Sequence, residues 1–282
     1  MTGVLVTGGT GKTGSALVDL LRGGGMSVRV AARTPPVGDP GAVRFDWGDP
    51  ATFPVALRGV DRVYLVPPPL SVDPLPLVGP FLAEAERRGV RRVVLLGSAV
   101  VLPNAPGAVE MAARVLDRPG WVVLRPSGFM QNFLRPHPLG ERIRRHGEIR
   151  TAAGTGRLGW IDARDVAATA AALLVAPDDH AGEHLLTGPR ALSFGEAASI
   201  IEARTGRPVR VAHLGVDEVA AHNRDAGLPA AFASALAAVE TSIAAGREDL
   251  VSTALLDLTG QPPRTFAEFV HDHAAEWAAE PR

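Results

Sequence analysis

The 282-residue chain contains no cysteine, which removes disulfides, thiolate catalysis and sulfur-ligated metals from consideration. It also lacks an excess of either charge, with a formal net charge of -1. Binding to nucleic acid or to a membrane surface usually shows as a basic patch or stripe, so neither partner is expected. The arginines around 87–92 and 142–150 are clustered, but runs this short read as solvated helix faces. No apolar run reaches the length of a membrane span. Met1 leads almost directly into a predicted strand, without the basic and apolar segments of an export signal, so the expected location is cytoplasmic. A serine-hydrolase elbow is missing too, because Gly97, Ser98 and Ala99 lack its flanking frame. Eight histidines do not amount to a metal site: His271 and His273 would stand roughly 200° apart on a helix. His180 and His184 flank a glycine turn without a nearby third ligand.

What the chain does have is 46% apolar residues, ample for a core, and a distinctive opening. Residues 4–14 read VLVTGGTGKTG: a buried strand, a glycine-rich turn, then the apolar periodic run Ala16, Leu17, Leu20, Leu21 of a helix. Such a turn presents main-chain N–H groups and the positive end of a helix dipole to an anion, most naturally a dinucleotide pyrophosphate. Gly-Lys-Thr also occurs in triphosphatase loops, but that motif needs a glycine where this chain has Val6. The spacing that fits is Gly8, Gly11 and Gly14, the three-residue intervals of short-chain dehydrogenase-like Rossmann proteins.

The strands that follow supply further candidates. Residues 27–33 form a second predicted strand closing on Arg33, in the register where an arginine accommodates a ribose 2'-phosphate and an acid would bind a 2'-hydroxyl. This favours NADP over NAD, and Thr34 could add a hydroxyl to the same phosphate. Asp46 could accept from an adenine amino group with Trp47 lining that pocket, although an aspartate before Gly48 is equally at home in a turn. A fourth strand, Val60–Val66, must stop at Pro67, Pro68 and Pro69, since proline cannot donate to a ladder. Further strands over 92–97 and 121–124 alternate with helical patterns, the signature of a parallel, doubly wound α/β sheet. Ser98 closes the fifth of them, near where a nicotinamide and a substrate would meet. After about residue 130 the rhythm breaks. We therefore divide the chain into a core over 1–130 and a smaller, mainly helical capping region over 131–282, with 157–188 returning to the core. Asp162 or Asp165 would cap an alanine-rich helix, Ser193 would cap another, and helical patterns fill 216–225, 229–245 and 265–278.

With VTGGTGKTG, AAR at 31–33, LRPSGFMQNF at 124–133, WIDARDVA at 160–167 and LLTGPRALSF at 185–194 assembled, the chain resembles the NmrA-like atypical short-chain dehydrogenase/reductases. The resemblance implies NADP(H) in an extended groove, with Gly8, Thr10, Gly11, Lys12, Thr13 and Arg33 toward the adenosine diphosphate half. It also implies Pro67, Ser98, Pro126 and Phe129 toward the nicotinamide. In one respect the chain departs from the larger dehydrogenase family, whose general acid is a tyrosine with a lysine four residues later. The only tyrosine is Tyr64, and four residues later stands Pro68. Glu110 on the following helix is either a proton donor or a solvated residue. Hydride transfer to a carbonyl wants an acid, whereas an iminium or a quinone can do without one. The expectation is a reductase of apolar or aromatic electrophiles, with a pocket built by Phe129, Met130, Phe133 and the helical tail. The alternative is a cofactor-binding redox sensor of the NmrA type that does not turn NADP(H) over.

Overall fold

A computed structural model describes residues 3–103, 105–176 and 180–277. Met1 and the last residue of the helix expected over 265–278 lie outside these ranges. In chain order the first elements are β1 (Gly3–Thr7), α1 (Gly14–Gly23), β2 (Ser27–Ala32), β3 (Ala42–Arg44), α2 (Phe53–Ala56), β4 (Arg62–Leu65), α3 (Leu75–Arg87), β5 (Arg92–Leu96), α4 (Pro106–Leu116) and β6 (Val122–Pro126). Then come α5 (Pro138–His146), β7 (Glu148–Thr151), β8 (Arg157–Leu158), α6 (Ala163–Val175), β9 (Gly182–Leu186), β10 (Leu192–Ser193), α7 (Phe194–Thr205), β11 (Arg210–His213), α8 (Val216–Asp225), α9 (Ala230–Ala244), α10 (Ala254–Thr259) and α11 (Phe266–Asp272).

Seven strands pair in parallel in the order β3-β2-β1-β4-β5-β6-β9. This is the doubly wound sheet that the alternation predicts. The wholly buried β1 shows why it must be covered on both faces, because successive side chains point to opposite sides. Val4 and Val6 join Leu17, Leu21, Val166 and Leu173 beneath α1 and α6. Leu5 joins Val63, Phe81, Leu82, Met111 and Val115 beneath α3 and α4. Just past β3, Phe45 still donates its N–H to the Ala32 carbonyl at 2.9 Å, and its ring stacks on Phe53 at 5.4 Å, while Phe81 meets both edge-on.

The alanine-rich α6 is capped by Asp162, whose side chain accepts from the Arg164 N–H. Its far end is held by buried or half-buried cations: Arg92 donates to the Leu173 carbonyl at 2.6 Å, and Arg62 donates to that of Leu174. Positive charge at a helix C-terminus offsets the dipole and satisfies terminal carbonyls. Both α6 and β9 are thus built into the Rossmann layers.

The remaining residues make a third apolar cluster around Phe133, Trp160, Phe194, Phe269 and Trp277. This region is mainly helical, as expected, with a few short strands. It holds the parallel pair β7 and β11 and the antiparallel pair β8 and β10; these strands are too short for a period of two to show in sequence. The capping box of α7, formed by Ser193 and Glu196, lies where the serine predicts it. Among the described residues no helix is long and apolar enough to cross a membrane.

Truncating Phe81 leaves a cavity beneath three edge-on or stacked rings. Phe81→Ala should lower the unfolding free energy by about 3–5 kcal/mol, read from urea denaturation; a loss below about 1 kcal/mol would show that this layer repacks freely.

Candidate functional site

The sheet order reverses between β1 and β4, and the crevice outside the carboxyl ends of those strands is where ligands bind in open α/β sheets. The loop after β1 occupies that position. Thr7 Oγ1 accepts from the Val66 N–H at 2.7 Å and so ties the ends of β1 and β4 together. Gly8 takes φ +62° and its carbonyl accepts from the Gly11 N–H at 2.9 Å. A Cβ on Gly14 would stand 2.2 Å from that same carbonyl, so the loop closes only on glycine. Thr13 precedes α1 without capping it, since its hydroxyl instead receives the Tyr64 O–H at 2.9 Å. Among the described residues the N–H groups of Lys12 and Thr13 find no protein acceptor. They remain available at the positive end of the helix.

The other candidates separate into three groups. Thr10, Arg33 and Thr34 are exposed at the strand ends, and the pairing of Thr7 with Ala31 sets Arg33 beside the glycine loop. Among the described residues Arg33 has neither a hydrogen-bond nor an ion-pair partner. Asp46 accepts from the Gly48 N–H at 2.9 Å, the turn role, and Trp47 packs edge-on against Phe45 and Phe81. Pro67, Ser98, Pro126 and Phe129 line one large cavity of about 1040 Å³ that runs from the β4 and β5 ends under the cap. The Ser98 hydroxyl there already donates to the Val100 carbonyl at 2.8 Å.

Of the two readings of Glu110 the solvated one fits, Tyr64 lies where expected, and other expectations are corrected. Glu110 is exposed and does not line the cavity, because α4 turns Ala108, Met111 and Ala112 toward it instead. Met130 and Phe133 are fully buried in the third apolar cluster and leave only Phe129 of that trio in the wall. Arg142 and Arg150 were expected on a solvated face, yet they are half-buried and line the cavity, whereas Arg145 stays exposed at its rim. Tyr64 lies within the sheet; burial raises its pKa well above the usual phenol value, partly offset by its bond to Thr13. It has no route to a substrate.

No family model matches the chain. Among curated proteins it is 42% identical to the uncharacterized oxidoreductase YesF of Bacillus subtilis over 280 residues, covering 98% of this chain and 96% of that one. It is 35% identical to agroclavine dehydrogenase of Claviceps fusiformis, covering 97% and 98%, and 34% identical to the NAD(P)H azoreductase of Xenophilus azovorans, covering 98% and 99%. The fold superposes on the NADPH-dependent quinone oxidoreductase QOR2 of Escherichia coli with a TM-score of 0.82 at 23% identity, covering 96% of this chain and 99% of that one. The chain belongs to the NmrA-like atypical short-chain dehydrogenase/reductases.

This NmrA-like chain carries one constellation that its sequence did not announce. Lys12, the only lysine present, donates from Nζ to Asn132 Oδ1 at 2.9 Å, across 120 positions of sequence. The bond fastens the glycine loop to the short 3-10 turn Met130–Phe133 at the edge of the cap. Its residue is solvent-accessible, but desolvation of the ammonium lowers the Lys12 pKa. His137, in the cavity wall, accepts from the Leu139 N–H at Nδ1. Burial and the nearby Lys12 charge lower its pKa to about 4, against a hydrogen bond to the Asn132 backbone that raises it. Lys12 and Asn132 stand in separate motifs and His137 in none, and only the fold brings the three together.

A neutral His137 has a consequence for stability. The unfolded chain binds a proton there near pH 6.5, while the folded chain does so only near pH 4. Its contribution is therefore intact above about pH 6.5 and falls as pH drops toward 4. His137→Asn should flatten that limb of the unfolding free energy measured against pH, and an unchanged slope would contradict the assignment.

Proposed function

We propose that the protein is an NADP(H)-dependent oxidoreductase that transfers hydride to an electrophilic small organic substrate, an iminium, quinone or conjugated acceptor, without a Tyr–Lys pair. The observation that carries this reading is the cavity: a space of about 1040 Å³, mainly apolar, lined by Pro67 and Ser98 at the carboxyl edge of the sheet and by Asn132, which accepts from Lys12 of the glycine loop. A redox sensor needs no such chamber; an enzyme for aromatic substrates does. Names of the relatives point the same way, since agroclavine, azo compounds and quinones are all conjugated or electrophilic.

The residues present fit the cofactor. Gly8 and Gly14 let the backbone approach a pyrophosphate, the Lys12 and Thr13 amides supply donors, and Arg33 is an uncommitted guanidinium suited to a 2'-phosphate. Thr34 stands beside it, and Pro67, Ser98, Pro126 and Phe129 form the wall toward the nicotinamide end. When bound, NADPH supplies the hydride. The protein's share is then to hold the acceptor flat against Phe129 and Pro126, to exclude water, and to leave the reacting atom without a strong acid. Ser98, bonded to Val100, can position an acceptor by its oxygen but is a weak proton source. An iminium loses its charge on accepting hydride and a quinone yields a stabilised phenolate, so neither asks for more.

Arg33→Ala should weaken NADPH binding by about tenfold or more while changing NADH by less than about twofold, measured by fluorescence titration; equal weakening of both would sink the phosphate assignment. Tyr64→Phe should keep kcat/KM within about threefold, since its hydroxyl serves Thr13 inside the sheet; a fall of about a hundredfold or more would restore it as an acid. Over a panel of acceptors, NADPH consumption should be fast with iminium ions and quinones and slow with simple ketones. Matching rates across both groups would refute the acid-free mechanism.

A further inference from the structure

One wall of the cavity, formed by α5 and β7, is not apolar. Arg142 and Arg150 both reach from the wall to a single oxygen of the buried Glu148: Arg142 through Nη2 and Arg150 through Nε at 2.9 Å. The other oxygen of Glu148 is taken by the exposed Arg210 at 2.9 and 3.0 Å. Burial alone would raise the Glu148 pKa, but the three guanidiniums outweigh it and bring it to about 2. One carboxylate therefore serves three cations.

The remaining acids have partners of their own. Glu141 pairs with Arg145, and Glu183 pairs with Arg125 at 3.1 Å. Glu240 is held by neutral donors, the Thr151 hydroxyl at 2.8 Å and the Ala152 N–H. Over the wall and its direct partners the charges are even, with Arg125, Arg142, Arg145 and Arg150 against Glu141, Glu148, Glu183 and Glu240, so the surplus is local: Arg142 and Arg150 share Glu148 with Arg210. Arg142 Nε is buried and unpartnered, so the outer nitrogens of that guanidinium, not Nε, are the ones able to meet a ligand. Guanidinium forks match oxyanions in geometry. His222 adds no negative charge, for it takes up an N–H of Arg150 and faces the Glu218 carbonyl on its other side.

We propose that this wall of the cavity carries an anion subsite, in which Arg142 and Arg150 bind an oxyanion such as a carboxylate or sulfonate carried on an otherwise apolar substrate. The reductase reading enters only in taking the same cavity as the place of the electrophile. The subsite would select acceptors by an anionic tail rather than by the reacting atom, and so by KM rather than kcat.

The test uses two probes of one skeleton, 8-anilinonaphthalene-1-sulfonate and the neutral N-phenyl-1-naphthylamine, titrated by fluorescence into the full chain. The sulfonate should bind about tenfold tighter or more, and Arg142→Ala should erase that advantage while leaving the neutral probe within about twofold. Equal affinities in the parent protein, or equal losses for both probes in the variant, would overturn the proposal. If the variant does not fold by circular dichroism, salt decides the matter on the parent protein. Raising NaCl from about 0.05 to 0.5 M should weaken the sulfonate several-fold and spare the neutral probe, and an unmoved sulfonate would overturn the subsite. NADPH oxidation with 1,4-naphthoquinone and its 2-sulfonate separates the two readings. No turnover with either would remove the reductase reading, whereas turnover with no KM advantage for the sulfonate would count against the subsite alone.

Discussion

The approach of the Gly14 backbone to the Gly8 carbonyl is the constraint on which the rest depends. Nothing larger than hydrogen fits between them, and the closeness brings α1 onto the end of β1 with its first amides facing outward. Around this point the sheet is tied by uncharged groups: Thr7 to the β4 end and Tyr64 to Thr13. A tyrosine used in this way is a structural pin. Its phenol is wholly buried and spent on Thr13.

The second organising feature is that the cavity belongs to neither layer alone. One wall comes from the carboxyl ends of β4, β5 and β6, through Pro67, Ser98 and Pro126, and another from α5, β7, α8 and α9. Lys12 bonded to Asn132 fastens the loop of the core to the first turn of the cap. The first is stiff and apolar, built of prolines and Phe129, while the second is built of ion pairs around Glu148.

Local spacing carried most of the binding edge. Glycines at 8, 11 and 14, and an arginine at the end of the second strand, are short-range facts about a turn and a register, and the backbone obeys them directly. The caps at Asp162 and Ser193 are readable for the same reason, since a capping side chain reaches only two or three residues. Strand ends were less legible: β3 stops at Arg44, and just beyond it the Phe45 ring is held by stacking on Phe53 and an edge-on contact with Phe81.

By itself the sequence determined the doubly wound sheet, the glycine loop, the family and the absence of a tyrosine–lysine pair, all of which depend on residues close together in the chain. Only the tertiary structure decided which side chains face the cavity. It put Met130 and Phe133 into the core, turned Glu110 to solvent, drew Lys12 to Asn132 and directed Arg142 and Arg150 inward. A run of arginines has the same pattern whether it faces water or a cavity. Its environment is set by packing between segments distant in sequence, and that is where charge acquires its chemical meaning.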